Sequence, residues 1–330
     1  MILYDSRWSG PHGIARFATE IAQRLPQLQP LQASLPLFHP LDPWRLAREV
    51  RRVRPHVFFS PGFNAPVATP RVPLVFTVHD LNYVHFAPNT TVLKRAYFAM
   101  IVKPACRRAA RVLTVSEFSR RQIAEWAGIP EQSVVNVGNG VSASFTPVGE
   151  RHSPGFPYIL FVGSQAPHKN LERLARALAR SRARREVKLL VTGQPTPETR
   201  RWLAEPALSS CVEFAGSVSD EMLPRYYRGA LALAMPSLFE GFGLPVAEAM
   251  ACGSPVITSN RTSLPEIAGD AAVLVDPGDT EAIAAALDQV VYESALRQSL
   301  VEKGTRRAAA FSWNATAAAI GAVLAEASAS

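Results

Sequence analysis

The chain has 330 residues, 48% of them hydrophobic, which is material for two α/β cores rather than one. No run approaches the ~18 consecutive apolar residues expected of a membrane span, and three widely spaced cysteines, Cys106, Cys211 and Cys252, make neither a disulfide framework nor a zinc-ligand pattern. The formal charge of +8 falls entirely in the first half: residues 1–150 hold 17 Lys and Arg against 9 Asp and Glu, whereas residues 151–330 hold 18 of each.

In chain order, a strand is expected over 2–5, then a Gly/Ser/His loop to Gly13 and a helix over 14–25. A second helix is expected over 41–53. Apolar, β-rich runs at 56–60 and 74–78 read as buried strands. A long helical pattern covers 91–109, and 111–115 is another strand. Ser116 or Glu117 opens a helix that stops at Gly128, and 134–137 is a short strand. Turn residues concentrate over 146–157, the expected linker between domains 1–150 and 151–312. A second series follows, with strands at 158–162, 187–192, 212–214, 231–235 and 256–258. Its helices are expected over 170–182, 196–205, 220–229, 244–252 and 280–293. Strands alternating with helices imply parallel sheets covered on both faces, so the fold class is α/β with two doubly wound domains. Ligands of such sheets sit at the C-terminal ends of the strands.

The most informative segment is 237–269, SLFEGFGLPVAEAMACGSPVITSNRTSLPEIAG. Gly241 and Gly243 let the backbone bend and approach a ligand closely. Phe242, Leu244 and Pro245 lead into a helix whose start aims free N–H groups at one point, a ready anion site. Glu240 in the turn and Glu248 about one helical turn into the helix are acceptor-only groups suited to sugar or ribose hydroxyls. Upstream, Gly163 ends a strand, and His168 and Lys169 precede Asn170, a candidate N-cap. An ammonium beside a helix start suits a diphosphate. His79 and Asp80 end another buried strand, where the imidazole can donate to a sugar hydroxyl or stabilise developing charge and Asp80 can fix its tautomer or cap the next segment. The Gly10-Pro11-His12-Gly13 loop, with Arg16 and Phe17 behind it, permits close backbone approach. Ser116 and Ser119 suit capping.

These residues together resemble glycosyltransferase family 4, retaining enzymes of GT-B fold. The family's Glu-x7-Glu mark is Glu240 and Glu248, with Gly241–Pro245 and Leu264-Pro265-Glu266 also matching. The resemblance implies two Rossmann-like domains about a cleft, with a last helix, about 313–330, crossing back to the first. It implies that Glu240 orients the transferred sugar, that Glu248 holds the ribose and that His79 lies beside the sugar. Lys169 and the backbone at Gly241, Phe242, Gly243 and Leu244 would neutralise the leaving diphosphate. Gly13 and Arg16 carry the match in the first loop, where Ala15 and Phe17 depart from the usual glycine and tyrosine. His168 stands where arginine is usual. Phe214 opens the edge implied to read the nucleobase.

By the same resemblance the reaction uses no metal and no cofactor beyond the nucleotide-sugar co-substrate, GDP-mannose in the nearest pattern. The acceptor would be a glycan or polyprenyl-linked glycan of surface polysaccharide. Rival expectations are a UDP-sugar donor, a nucleotide-sugar epimerase or phosphorylase of the same architecture, and a catalytically silent binding protein. No nucleic-acid-binding pattern accompanies the basic half, which leaves an anionic membrane surface or substrate as its expected partner. Lys103, Arg107 and Arg111, four residues apart, and a second arginine group at 45–54 read first as solvated faces and second as a membrane-facing stripe. The N-terminus reads directly as a strand, so the expected location is cytoplasmic, with peripheral contact on the inner membrane face as a second expectation.

Overall fold

The computed structural model describes residues 1–10, 13–31, 37, 39–69, 71–86, 88 and 90–329; Pro11 and His12 of the expected first loop lie outside the described residues. The chain forms two compact units, Met1–Gly140 with Ser312–Ser330, and Val141–Phe311.

The first unit carries β1 (Ile2–Tyr4), β2 (Leu28–Pro30), β3 (Val57–Ser60), β4 (Leu74–Thr77), β5 (Arg111–Thr114) and β6 (Val134–Asn136). They form one sheet in the order β2-β1-β3-β4-β5-β6. Every pairing is parallel, with Ile2 opposite both Leu28 and Val57, and Phe58 opposite Leu74. β3 and β4 are buried throughout, as strands covered on both faces must be. The order reverses between β1 and β3, which opens a crevice at their C-terminal ends.

The second unit carries β7 (Tyr158–Phe161), β8 (Lys188–Val191), β9 (Val212–Phe214), β10 (Ala232–Met235), β11 (Val256–Ser259) and β12 (Val273–Val275). Its parallel order is β12-β11-β10-β7-β8-β9. From β7 the chain winds outward through β8 and β9; from β10 it winds the other way. The switch point therefore lies between β7 and β10, where such sheets bind ligands.

Three expectations need correction. The unit boundary lies at Gly140 and Val141, not at 150. Residues 141–150 are bound to the second unit: Phe145 packs on Tyr227 with ring centroids 6.0 Å apart, and Arg228 donates to the carbonyls of Thr146 at 3.1 Å and Glu150 at 2.8 Å. Edge strands β2 and β12 were not expected. The third correction concerns hydropathy. By length and composition alone, the helical stretch Ser294–Ala329 contains a window apolar enough to cross a membrane. That window draws on the Ala-rich last helix, Trp313–Ala329, whose Trp313, Thr316, Ala317, Ile320, Leu324 and Ala327 recur every three or four residues and are buried. It packs on the first unit's helix Gly13–Arg24, with Arg24 Nε donating to Asn314 Oδ1 at 2.8 Å. The last helix reads as a core helix of the first unit, whereas Ser294–Ala308 packs within the second.

Candidate active site

At the switch point of the second unit, β7 runs out into Gly163. Its φ of +134° is one that L side chains rarely adopt, and Lys169 reaches over the place where a Cβ would stand. A 3₁₀ turn, Pro167–Lys169, brings the Lys169 Nζ to 2.7 Å from Glu240 Oε1, beyond the end of β10. Both side chains are mostly buried, 15% and 11% exposed, so the pair is shielded from the screening that empties surface ion pairs of value. The two loops are tied together. Leu238 N–H donates to the His168 carbonyl at 2.7 Å. Asn170 Nδ2 donates to the carbonyls of Pro236 at 3.0 Å and Pro277 at 2.8 Å. Asn170 thus stands at the N-cap of helix Leu171–Arg180 without capping it by its side chain; its φ of +62° turns the amide toward the neighbouring loops instead.

The turn after Glu240 is fixed by the segment that follows β11. Thr262 Oγ1 accepts from Glu240 N–H at 3.2 Å, and Ser263 Oγ donates toward the carbonyls of Glu240 at 3.0 Å and Phe242 at 3.2 Å. Gly243 has φ +98°, and a Cβ there would lie 2.6 Å from Leu264 Cδ2, so the following Leu-Pro-Glu element packs against a position only glycine fits. Gly241 and Phe242 are buried; Leu244 starts helix Leu244–Ala251. Glu248 lies on that helix, 3% exposed, and accepts from the Tyr227 hydroxyl at 2.9 Å.

Burial pushes the His168 imidazole down to about 4; Glu240 opposes the shift and Lys169 adds to it. His168 is therefore neutral across the physiological range. An unfolded chain takes up a proton near pH 6.5 that the folded chain refuses until about 4. Stability contributed by this group is complete above pH 6.5 and is lost as pH falls toward 4. In urea titrations, His168→Gln should flatten the decline in unfolding free energy between pH 6.5 and 4; an unchanged slope would remove His168 as its source.

Lys169, Glu240, His168 and Gly163 are thus brought close together beyond β7 and β10, with the Gly241–Leu244 turn following Glu240 and Glu248 on the helix after it. Phe214, half-buried, ends β9, two strands away from β7 in the sheet. The Gly193 N–H donates to the Gly216 carbonyl at 2.7 Å and joins the loops after β8 and β9. Gly13, Arg16, His79 and Asp80 belong to the other unit.

There His79 follows β4. Its Nε2 lies 2.9 Å from the Pro61 carbonyl, which can only accept, so Nε2 carries a proton. The Pro61 carbonyl thus fixes Nε2 as a donor within the unit. Phe17, in place of the usual tyrosine, stacks edge-on against the ring at 4.8 Å. Asp80 Oδ1 accepts from Asn82 N–H at 2.8 Å, starting the next segment. Gly13 begins helix Gly13–Arg24, and Arg16 is half-buried on its first turn. Ser116 caps its helix, accepting from Ser119 N–H at 3.1 Å.

Sequence reasoning missed two groups. Tyr227 is one. The other is a buried ionic cluster beyond β1 and β3, where Arg7 bridges Asp5 at 2.6 Å and Asp42 at 2.5 Å, and Asn64 Nδ2 donates to Asp42 at 2.9 Å. Burial disfavours the Arg7 charge, but the bonds and charges of Asp5 and Asp42 more than reverse it. The available signal was Asp5, a carboxylate closing a buried strand at its C-terminal end. Among the described residues no three His, Cys, Asp or Glu side chains cluster as metal ligands would.

Comparison with known proteins adds the following. Residues 3–145 match the description of Glycosyltransferase Family 4, and residues 146–307 that of Glycosyl transferases group 1. The O-antigen chain mannosyltransferase B of Escherichia coli is 31% identical over 288 residues, 83% of this chain and 75% of that protein. The MMP alpha-(1->4)-mannosyltransferase of Mycolicibacterium hassiacum is 35% identical over 69% of this chain and 57% of its own length. Among solved structures, a sucrose-phosphate synthase from Thermosynechococcus elongatus superposes with TM-score 0.78 at 19% identity, covering 98% of both chains. HepE from Anabaena, in complex with UDP and glucose, gives TM-score 0.76 at 20% identity, covering 98% and 99%. At these identities the structural likeness speaks for the fold alone.

Proposed function

Since the chain belongs to glycosyltransferase family 4 and has the GT-B fold, we propose that it is a retaining mannosyltransferase, moving mannose from GDP-mannose to a glycan or polyprenyl-linked acceptor in surface-polysaccharide assembly. The observation that carries this reading is the Lys169–Glu240 pair, held at 2.7 Å at the switch point of the second unit. It combines a cation for a leaving diphosphate with a carboxylate for sugar hydroxyls, in a place where α/β sheets take nucleotides.

In this mechanism the diphosphate lies against Lys169 and the N–H groups of the Gly241–Leu244 turn. Both stabilise charge that grows as the glycosidic bond breaks. Neutral His168 contributes a hydrogen bond where the usual arginine would contribute a second charge. Glu240 binds the sugar, and Glu248 the ribose. The acceptor hydroxyl attacks from the face the leaving phosphate departs, and a phosphate oxygen takes its proton, so Glu240 acts as no nucleophile. The decisive experiment is calorimetric titration with GDP, UDP, ADP and their mannose and glucose conjugates, followed by product analysis with and without acceptor. Preference for UDP would overturn the donor assignment. Sugar-nucleotide isomerisation without acceptor would overturn the reaction class.

The chemistry needs no divalent metal, because an ammonium and backbone dipoles carry the leaving-group charge. Transfer should persist in excess EDTA. Complete loss, restored by magnesium or manganese, would sink this part of the mechanism. The excess of +8 in the first unit fits work at the cytoplasmic face of an anionic membrane, as a peripheral protein.

A further inference from the structure

Among the described residues, four that are not glycine have a left-handed φ: Arg54, Arg71, Asn170 and Thr262. Thr262, at +61°, is the one branched at Cβ. Asparagine enters this region readily, whereas a β-branched side chain there is an outlier. Such a conformation raises the free energy of the fold, persists only where its surroundings over-determine it, and clusters at functional sites.

The surroundings of Thr262 do over-determine it. Before it, Asn260 N–H donates to the Val275 carbonyl at 2.9 Å and Arg261 N–H to Ser259 Oγ at 3.0 Å. The Arg261 guanidinium pairs with Asp276 at 2.8 Å. After it, Ser263 is fully buried, and Leu264 starts the short helix Leu264–Ala268 with its side chain against Gly243. The chain turns between these anchors in one residue. Glycine would make that turn without strain, and asparagine with little. What threonine brings is its hydroxyl. Oγ1 donates to the Arg261 carbonyl at 2.7 Å, so its proton is used there, and it meets the Glu240 N–H, 3.2 Å away, as an acceptor. Glu240 in turn holds Lys169 at 2.7 Å, so a shift of its backbone moves both charges.

We propose that Thr262 is a positioning residue for the transfer reaction: its strained backbone aims a hydroxyl at the Glu240 N–H and so sets where the Glu240 carboxylate stands. The inference rests on the sugar-binding part assigned to Glu240 above and adds what places that group. Thr262 acts through Glu240 and touches no substrate.

Stability and turnover should therefore separate across three variants. Thr262→Ser keeps the hydroxyl and removes the branch, Thr262→Val keeps the branch and removes the hydroxyl, and Thr262→Gly removes both. The assay is transfer from GDP-mannose, or from whichever sugar nucleotide the titration above selects. Turnover should follow the hydroxyl: kcat within about twofold of the parent for Ser, and about three- to tenfold lower for Val and Gly, the scale of one hydrogen bond. Urea midpoints should follow the strain instead, with Ser above the parent and Gly above Val. GDP titration should be alike for all four proteins, since GDP lacks the sugar. In a Glu240→Ala background no carboxylate is left to place, so Thr262→Val should add no more than about twofold. Parental turnover in Glu240→Ala overturns the part assigned to Glu240, and this proposal with it. Loss in Glu240→Ala with parental turnover in Thr262→Val overturns this proposal alone. So does turnover that ranks with the urea midpoints, or a full loss on adding Thr262→Val to Glu240→Ala, since either makes the Thr262 bond a fold contact only.

Discussion

Lys169→Ala is expected to lower kcat about 10²- to 10³-fold while changing donor affinity far less, the scale seen when one preorganised donor to a developing charge is removed. The argument is positional. Lys169 Nζ sits over Gly163 and against Glu240, its side chain only 15% exposed, and so is not readily replaced by a nearby surface cation or by bulk water. The diphosphate gains charge only as the bond to the sugar breaks, so an ammonium aimed at it matters more in the transition state than in the ground state. The partner carboxylate complicates the single variant. Removing Lys169 leaves Glu240 unpaired beside an arriving dianion, and part of the lost activity is that repulsion. Glu240→Gln in the Lys169→Ala background should therefore recover nucleotide affinity without recovering turnover. Steady-state kinetics on the four members of this cycle separate the two effects. A Lys169→Ala enzyme within threefold of the parent kcat would sink the assignment.

The two doubly wound halves were legible because buried parallel strands read as unbroken apolar runs, as in Phe58-Phe59 and in Ala232–Met235. β2 and β12 were not, for a physical reason. Each is a three-residue edge strand with one buried side chain, and β2 contains Pro30, which an edge tolerates and a central strand does not. The boundary was misjudged because proline and glycine mark turns, and turns at 146–157 occur within the second unit's own surface. At the site, the glycine turn and the charged residues that punctuate it stood out against apolar surroundings. What fixes them did not. Thr262 and Ser263 look like ordinary loop residues until their hydroxyls are found on the Glu240 backbone. Asn170 showed its position at a helix start but not its task, since long-range bonds to Pro236 and Pro277 leave no trace in local sequence. His79 was found as a strand-end histidine, yet its proton is set by a carbonyl 18 residues earlier.

Tyr227 was illegible for the same reason, and it carries the remaining large prediction. Its hydroxyl, fully buried on helix Leu223–Gly229, donates at 2.9 Å to Glu248 on the helix that follows β10. In sequence it is one of two adjacent tyrosines in an amphipathic helix, which reads as core packing. In the structure it holds the carboxylate assigned to the ribose. Glu248→Ala should weaken GDP binding roughly 10- to 100-fold, since charge-assisted hydrogen bonds are worth about 1.5–3 kcal/mol each. Tyr227→Phe keeps the ring and removes only the donor, and should cost several-fold by leaving Glu248 less well oriented. Both losses should vanish when the titrant is 2′,3′-dideoxy-GDP, which lacks the hydroxyls that Glu248 would accept. That comparison separates a positioning role from a structural one, because a merely loosened fold would weaken both nucleotides alike. Unchanged GDP affinity in Glu248→Ala would take Glu248 out of the site. Equal weakening toward GDP and its dideoxy form would make the Tyr227–Glu248 bond a fold contact with no part in reading the donor.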